Sequence, residues 1–100
     1  MQNKFNKNEV REMVLNEAIE ILKSDKIIPK NKKKIVLTGQ NTDFDSVALI
    51  KLISSLEDKV HKKFKKNLTI ADDKILNNIK LIRDTDSLSK HIYSKLNGKN

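Results

Sequence analysis

The sequence predicts an all-α domain: a four-helix bundle of three longer helices and one short third helix, with a long loop between helices 1 and 2. Three observations lead there. Apolar residues recur at three- and four-residue steps in three separate stretches, the mark of helices with one buried face. A stretch carrying Pro29, a lysine run and Gly39 interrupts that periodicity between the first two. At 100 residues without cysteine, the chain has room for one core and no means of stapling it. It reads as a single domain, 1–100, with residues 1–7 a flexible polar lead.

The first helix is predicted from a cap at Asn8, with Glu9 and Glu12 placed to answer the helix dipole. Its inward stripe is Val10, Met13, Val14, Ala18, Ile21 and Leu22, and it should stop before Pro29. From Ile27 to Gln40 the chain is a long connection. In it Ile35, Val36 and Leu37 either pack back onto the bundle or form a short extended piece. A lone strand without a partner is poor physics.

The second helix is expected from Ser46 to Phe64, with Leu49, Leu52, Ile53, Leu56 and Val60 on one stripe. Thr42-Asp43-Phe44-Asp45-Ser46-Val47 leads into it, so Ser46 falls at or beside the helix N-terminus. Unpaired N–H groups and the positive end of the dipole favour an anion there. The same position suits a simple cap, the commoner meaning of Asp-Ser before an apolar run. Asn67-Leu68-Thr69 reads as an extended elbow. A short third helix follows from Thr69 or Ile70, with Asp72 and Asp73 in its first turn and Ile75, Leu76 and Ile79 inward; Asn77-Asn78 weakens it. Asp84 caps the last helix, whose stripe is Leu88, Ile92 and Leu96, with Gly98 as its stop.

Composition narrows the function classes. Lys and Arg number 21 against 13 Asp and Glu, a net charge of +8. Such a balance invites nucleic acid, and a basic helical nucleic-acid-binding module is the alternative reading. No helix-turn-helix spacing with base-reading side chains is evident to support it. His61 and His91 read as surface residues, thirty positions apart with no cysteine, so no metal site is expected. No Gly-x-Ser-x-Gly elbow surrounds Ser46, which argues against hydrolase chemistry. The N-terminus lacks the apolar stretch of a signal peptide and no run reaches membrane-spanning length, so the expected compartment is the cytoplasm.

Asp43-Phe44-Asp45-Ser46-Val47 resembles the Gly-x-Asp-Ser-Leu signature of acyl carrier proteins. The likeness runs on through Leu56-Glu57-Asp58-Lys59-Val60, Phe64 and Asn67-Leu68-Thr69-Ile70-Ala71-Asp72-Asp73. It closes on Arg83-Asp84-Thr85-Asp86-Ser87-Leu88 and Ile92, so that it covers roughly residues 10 to 96. It is similar to stand-alone phosphopantetheine-binding carriers encoded beside specialised biosynthetic enzymes. The resemblance implies a non-enzymatic protein carrying acyl or related groups as thioesters on 4′-phosphopantetheine, attached covalently to Ser46. The setting it implies is fatty-acid-like or specialised biosynthesis. It implies that Asp45 orients that end or contacts the transferase and its metal, and that Phe44 and Val47 seat the loop and help dock partners. Lys51 and Glu57 join them as docking residues of the second helix. Its partners would be a phosphopantetheinyl transferase and acyl-loading and acyl-processing enzymes. No specific nucleic acid and no membrane partner is expected, and the protein should be a monomer. Two departures stand out: Asp43 replaces the family's glycine, and Ala48 and Lys51 occupy positions that are commonly acidic in fatty-acid carriers, while Glu57 and Asp58 remain. Docking on a basic synthase should therefore be weakened, which favours a dedicated partner set.

Overall fold

The computed structural model describes residues 6–39, 42 and 44–98, with the backbone alone at 74, 76, 79 and 80. Among these residues the fold is all-α but is not a four-helix bundle. Three helices carry it: Lys7–Ser24, Ser46–Phe64 and Thr85–Leu96. The predicted short third helix is reduced to the five residues Asp73–Asn77, followed by a 3₁₀ turn at Ile79–Ile82. The physical reason is local. A first helical turn costs several fixed residues for one hydrogen bond, and Asn77-Asn78 offers poor propensity for continuing it. Upstream, Ile70 donates its N–H to the Glu57 carboxylate at 2.7 Å, which holds the elbow non-helical. Ile75 is buried; Leu76 and Ile79, named from the sequence as inward, have side chains outside the described residues.

The first helix lies between the other two and packs against both. It is capped by Asn6, whose side chain accepts from the N–H groups of Asn8 and Glu9 at 2.8 and 3.2 Å. Asn6 and Lys7, read from sequence as part of the lead, are thus its cap and first residue, while residues 1–5 lie outside the described residues. It buries Val10, Val14, Leu15, Ala18 and Leu22. Its end comes at Ser24, five residues before Pro29, because the chain turns into the left-handed region at Lys26, φ 61°. Ile27 then donates to the Leu22 carbonyl at 2.8 Å and Lys26 to that of Lys23 at 2.9 Å. This is the pairing of a Schellman stop, here with lysine where glycine is usual.

One aliphatic core joins all the segments: Leu52, Leu56 and Val60 of the second helix, Leu88, Ile92 and Leu96 of the last, and Ile35, Leu37, Ile70, Ile75 and Ile82 from between. Ion pairs decorate it, as in Lys59 with Glu17 at 3.4 Å, Lys63 with Glu9 at 3.2 Å and Arg11 with Asp86 at 3.0 Å. Exposed pairs of this kind stabilise by about 0.2–1 kcal/mol each at most, so the core decides stability.

The long connection is fastened by backbone. Ile35 and Leu37 point inward and Val36 outward, an alternation that brings 35–37 alongside 83–85 in a single antiparallel bridge between Val36 and Asp84. Leu37 donates to the Arg83 carbonyl at 2.8 Å and Thr85 to that of Ile35 at 2.9 Å. The Ile35 N–H is buried and its acceptor is the Thr85 hydroxyl, 3.1 Å away. Both readings of this stretch therefore hold at once, since burying its apolar residues obliges its polar backbone to find partners. Replacing Thr85 by Val keeps the shape but orphans that N–H. We expect a loss of about 1–3 kcal/mol, read as a lower urea midpoint at unchanged slope.

Asp84 caps the last helix, accepting from the Ser87 N–H at 2.8 Å, and is itself buried. Burial alone would raise its carboxyl, but the Ser87 N–H and hydroxyl, with the charges of Lys34 and Arg83, outweigh that and hold it below the usual range. Asp72 is likewise lowered, chiefly by its hydrogen bond from Lys95 and then by the Ile75 N–H. Both carboxyls titrate lower in the folded chain than in the unfolded one. Their stability contribution is complete above the unfolded value, about pH 3.9, and is lost as pH falls through the folded values below it. Asparagine caps as well as aspartate. Asp84→Asn should therefore cost stability at neutral pH, and its deficit against the parent should shrink on acidification below about pH 4. Urea titrations at a series of pH values check this.

Candidate functional site

The second helix begins where the sequence places it. Thr42 prepares the entry: its hydroxyl donates to the Val36 carbonyl and accepts the Phe44 N–H at 3.0 Å, tying the connection to the helix start. Phe44 is buried in the core and seats the loop from below. Asp45 follows with extended backbone as the N-cap, its carboxylate accepting the Ala48 N–H at 2.8 Å and its carbonyl the Leu49 N–H at 3.0 Å.

Ser46 is the first helical residue, and it is exposed. The N–H groups of Ser46 and Val47 precede the first intrahelical bond, so they point out of the helix end with the positive pole of the dipole. No acidic residue stands in the first turn. The Asp45 carboxylate is committed to the cap, so the ordinary structural role of Asp-Ser is fulfilled here. The serine hydroxyl is left outside it.

Around Ser46 the helix presents apolar side chains to solvent. Val47 is 62% and Ile50 64% exposed, with Lys51 exposed beside them. Val47 and Ile50 are three residues apart, hence neighbours on one face. Ile50 was missed from the sequence because it lies off the 49-52-53-56 stripe. An isoleucine on the outer face, four residues from Ser46, was the available signal.

Other sequence-predicted residues separate from this cluster. Glu57 is half-buried and occupied by the Ile70 N–H, so its carboxylate holds the elbow. Asp43 lies outside the described residues. His61 is exposed near the end of the same helix, about 22 Å from Ser46 at 1.5 Å per residue. His91 is not the surface residue expected: it is half-buried, with Nε2 out of solvent, and its charge bears on Asp72. A groove of about 790 Å³ runs between the first and second helices, with Glu12, Glu17 and Glu20 on one wall and Lys59, Lys62 and Lys63 on the other. Its lysine wall starts about 20 Å from Ser46. Its charged groups stand on both walls, with Met13 and Asn16 between them.

The site thus offers an exposed hydroxyl on the positive end of a nineteen-residue helix, flanked by exposed apolar side chains. Among the described residues no base is placed beside it: the Asp45 carboxylate serves the cap and the histidine of this helix is remote. Comparison with protein-family models, curated proteins and solved structures finds no match. No helix among the described residues is long and apolar enough to cross a membrane.

Proposed function

We propose that this chain is an acyl carrier protein, bearing 4′-phosphopantetheine on Ser46 and catalysing nothing itself. The observation that carries this reading is the exposed Ser46 hydroxyl at the first position of the second helix, beside exposed Val47 and Ile50. The residues present fit the group. A phosphodiester on Ser46 Oγ lies next to the free N–H groups of the helix end, which offset the nearby negative charge of Asp45. When bound, the group supplies a thiol on a flexible arm, which a cysteine-free chain otherwise lacks.

The chain's own residues have distinct tasks. Asp45 fixes the helix start and so the position of Ser46; Phe44 and Thr42 hold the preceding loop against the core. Val47, Ile50 and Lys51 form the face on which a transferase and acyl-handling enzymes dock, apolar with one lysine at its edge. Lys51, where fatty-acid carriers are commonly acidic, weakens docking on basic synthases, so we assign the protein to a dedicated set of partners in fatty-acid-like or specialised biosynthesis. The cytoplasm, where coenzyme A and such enzymes meet, is the compartment this reading assigns.

The test is intact mass after incubation with coenzyme A, Mg²⁺ and a broad-specificity phosphopantetheinyl transferase. Gain of one phosphopantetheine per chain is the expected result. A folded protein whose mass never changes, with that transferase and with any encoded beside it, would count against the proposal.

A further inference from the structure

The positive charge of this protein is unevenly matched. On the second helix Lys59, Lys62 and Lys63 each face a carboxylate, as do Lys95 and Arg11 elsewhere. Other exposed lysines without an ion pair to a described residue, such as Lys51 and Lys90, are scattered, whereas the connection after the first helix gathers them. Lys26, Lys30, Lys32, Lys33 and Lys34 are all exposed, and none makes an ion pair with a described residue. Asp25 at its start and Asp84, whose carboxyl feels Lys34, are the acids nearest to it in sequence and by charge.

Within this basic segment an isoleucine faces water. Ile27 turns in against the core while Ile28 is 81% exposed, the most exposed large apolar side chain among the described residues. Pro29 follows and restricts the backbone around it. The segment is held at both ends: the Ile27 N–H bonds to Leu22, and Ile35 is tied to Thr85. Midway, Asn31 accepts the Lys33 N–H at 2.9 Å, and the Lys33 carbonyl accepts from Arg11 at 3.4 Å. It is therefore a fixed loop presenting lysines and one aliphatic side chain.

We propose that loop 26–34 docks on an anionic lipid bilayer, its lysines on the headgroups and Ile28 in the headgroup–acyl boundary. Lysines alone suit any polyanion. Ile28 decides between them: an aliphatic side chain gains by leaving water for the acyl boundary and gains nothing on a phosphate backbone. This reverses the expectation of no membrane partner, which rested on the lack of a run of membrane-spanning length. The proposal does not depend on Ser46 or its modification.

The experiment is co-sedimentation of the full chain with vesicles of phosphatidylcholine alone or mixed with phosphatidylglycerol, across a salt series. Binding should require the anionic lipid and weaken with salt. The triple variant Lys30→Glu, Lys32→Glu, Lys33→Glu should lower it by about tenfold or more. Ile28→Ser, which leaves the charge unchanged, should lower it about fivefold. The chain has no tryptophan, so Ile28→Trp gives a single reporter whose emission should shift to the blue on anionic vesicles only. All positions are exposed, and a parent-like circular dichroism melt shows that each variant is folded. Equal affinity for both vesicle types, an unshifted reporter, or Ile28→Ser binding like the parent overturns the proposal. So does duplex DNA that outcompetes the vesicles at equal phosphate, which would reassign the loop to nucleic acid.

Discussion

Ser46→Ala should abolish the gain of phosphopantetheine altogether while leaving the melting curve of the protein within experimental error of the parent. Under the proposed function, loading forms a bond from Ser46 Oγ to phosphorus as a pyrophosphate P–O bond of coenzyme A breaks. 3′,5′-Adenosine bisphosphate leaves, and the hydroxyl proton passes to a base on the transferase. Without Oγ there is no acceptor, so the effect is complete. The fold should not notice, because Ser46 is exposed at the first helical position and the cap is Asp45. Surface changes of this kind stay within about ±0.5 kcal/mol. Asp45 separates two roles that the geometry superposes. Asp45→Ala removes the bond to the Ala48 N–H and should cost about 1 kcal/mol. Asp45→Asn keeps an oxygen on that N–H and should be near neutral in stability. If the carboxylate charge also serves the transferase, both variants load more slowly. Slow loading by alanine alone makes Asp45 a positioning residue through its cap. A Ser46→Ala protein that still gains the group would place the attachment elsewhere and remove the basis of the proposed function.

What could be read from the sequence was what is encoded locally. The second helix was legible at both ends because an aspartate precedes its apolar stripe and the stripe runs unbroken to Phe64. Asp84 was legible as a cap for the same reason. Where the outcome hangs on contacts distant in sequence, the pattern fell silent. Nothing in Ile35-Val36-Leu37 says that its backbone will pair with 83–85, fifty residues on. Nothing in Glu57 distinguishes a solvent-facing carboxylate from one that captures the Ile70 N–H and keeps the elbow extended. That capture, with the two asparagines, is why the short third helix expected from Thr69 or Ile70 starts only at Asp73 and runs for five residues. The first helix stops before Pro29 as expected, but the stop itself is made at Lys26, in a conformation that sequence reading reserves for glycine or asparagine. At the candidate site, Ser46, Asp45, Phe44, Val47 and Lys51 were named from the sequence; Ile50 was overlooked there, and the Thr42 tie emerged only in three dimensions.

Leu56→Ala should be the most damaging single change to the fold. Leu56 lies midway along the second helix, fully buried, in a core with few aromatic rings to bridge a gap. Truncation removes apolar contacts and leaves a cavity that a helix fixed at both ends closes only partly, at a cost of about 2–5 kcal/mol. A chain of this size has about 5–15 kcal/mol in all, so the change takes a large share of it. The expected readout is a urea midpoint lowered by roughly a third or more, with the slope unchanged. The competing view is that aliphatic side chains here are loosely held and refill the space, as a carrier with a slot opening for cargo would need. Under that view the loss falls to the low end, about 2 kcal/mol, since easy collapse removes the cavity contribution and leaves only the lost transfer energy. Leu56→Ala therefore measures whether the interior is rigidly packed around the second helix. A loss near about 5 kcal/mol means that the space left by Leu56 stays open, which is the result expected of a rigidly packed interior.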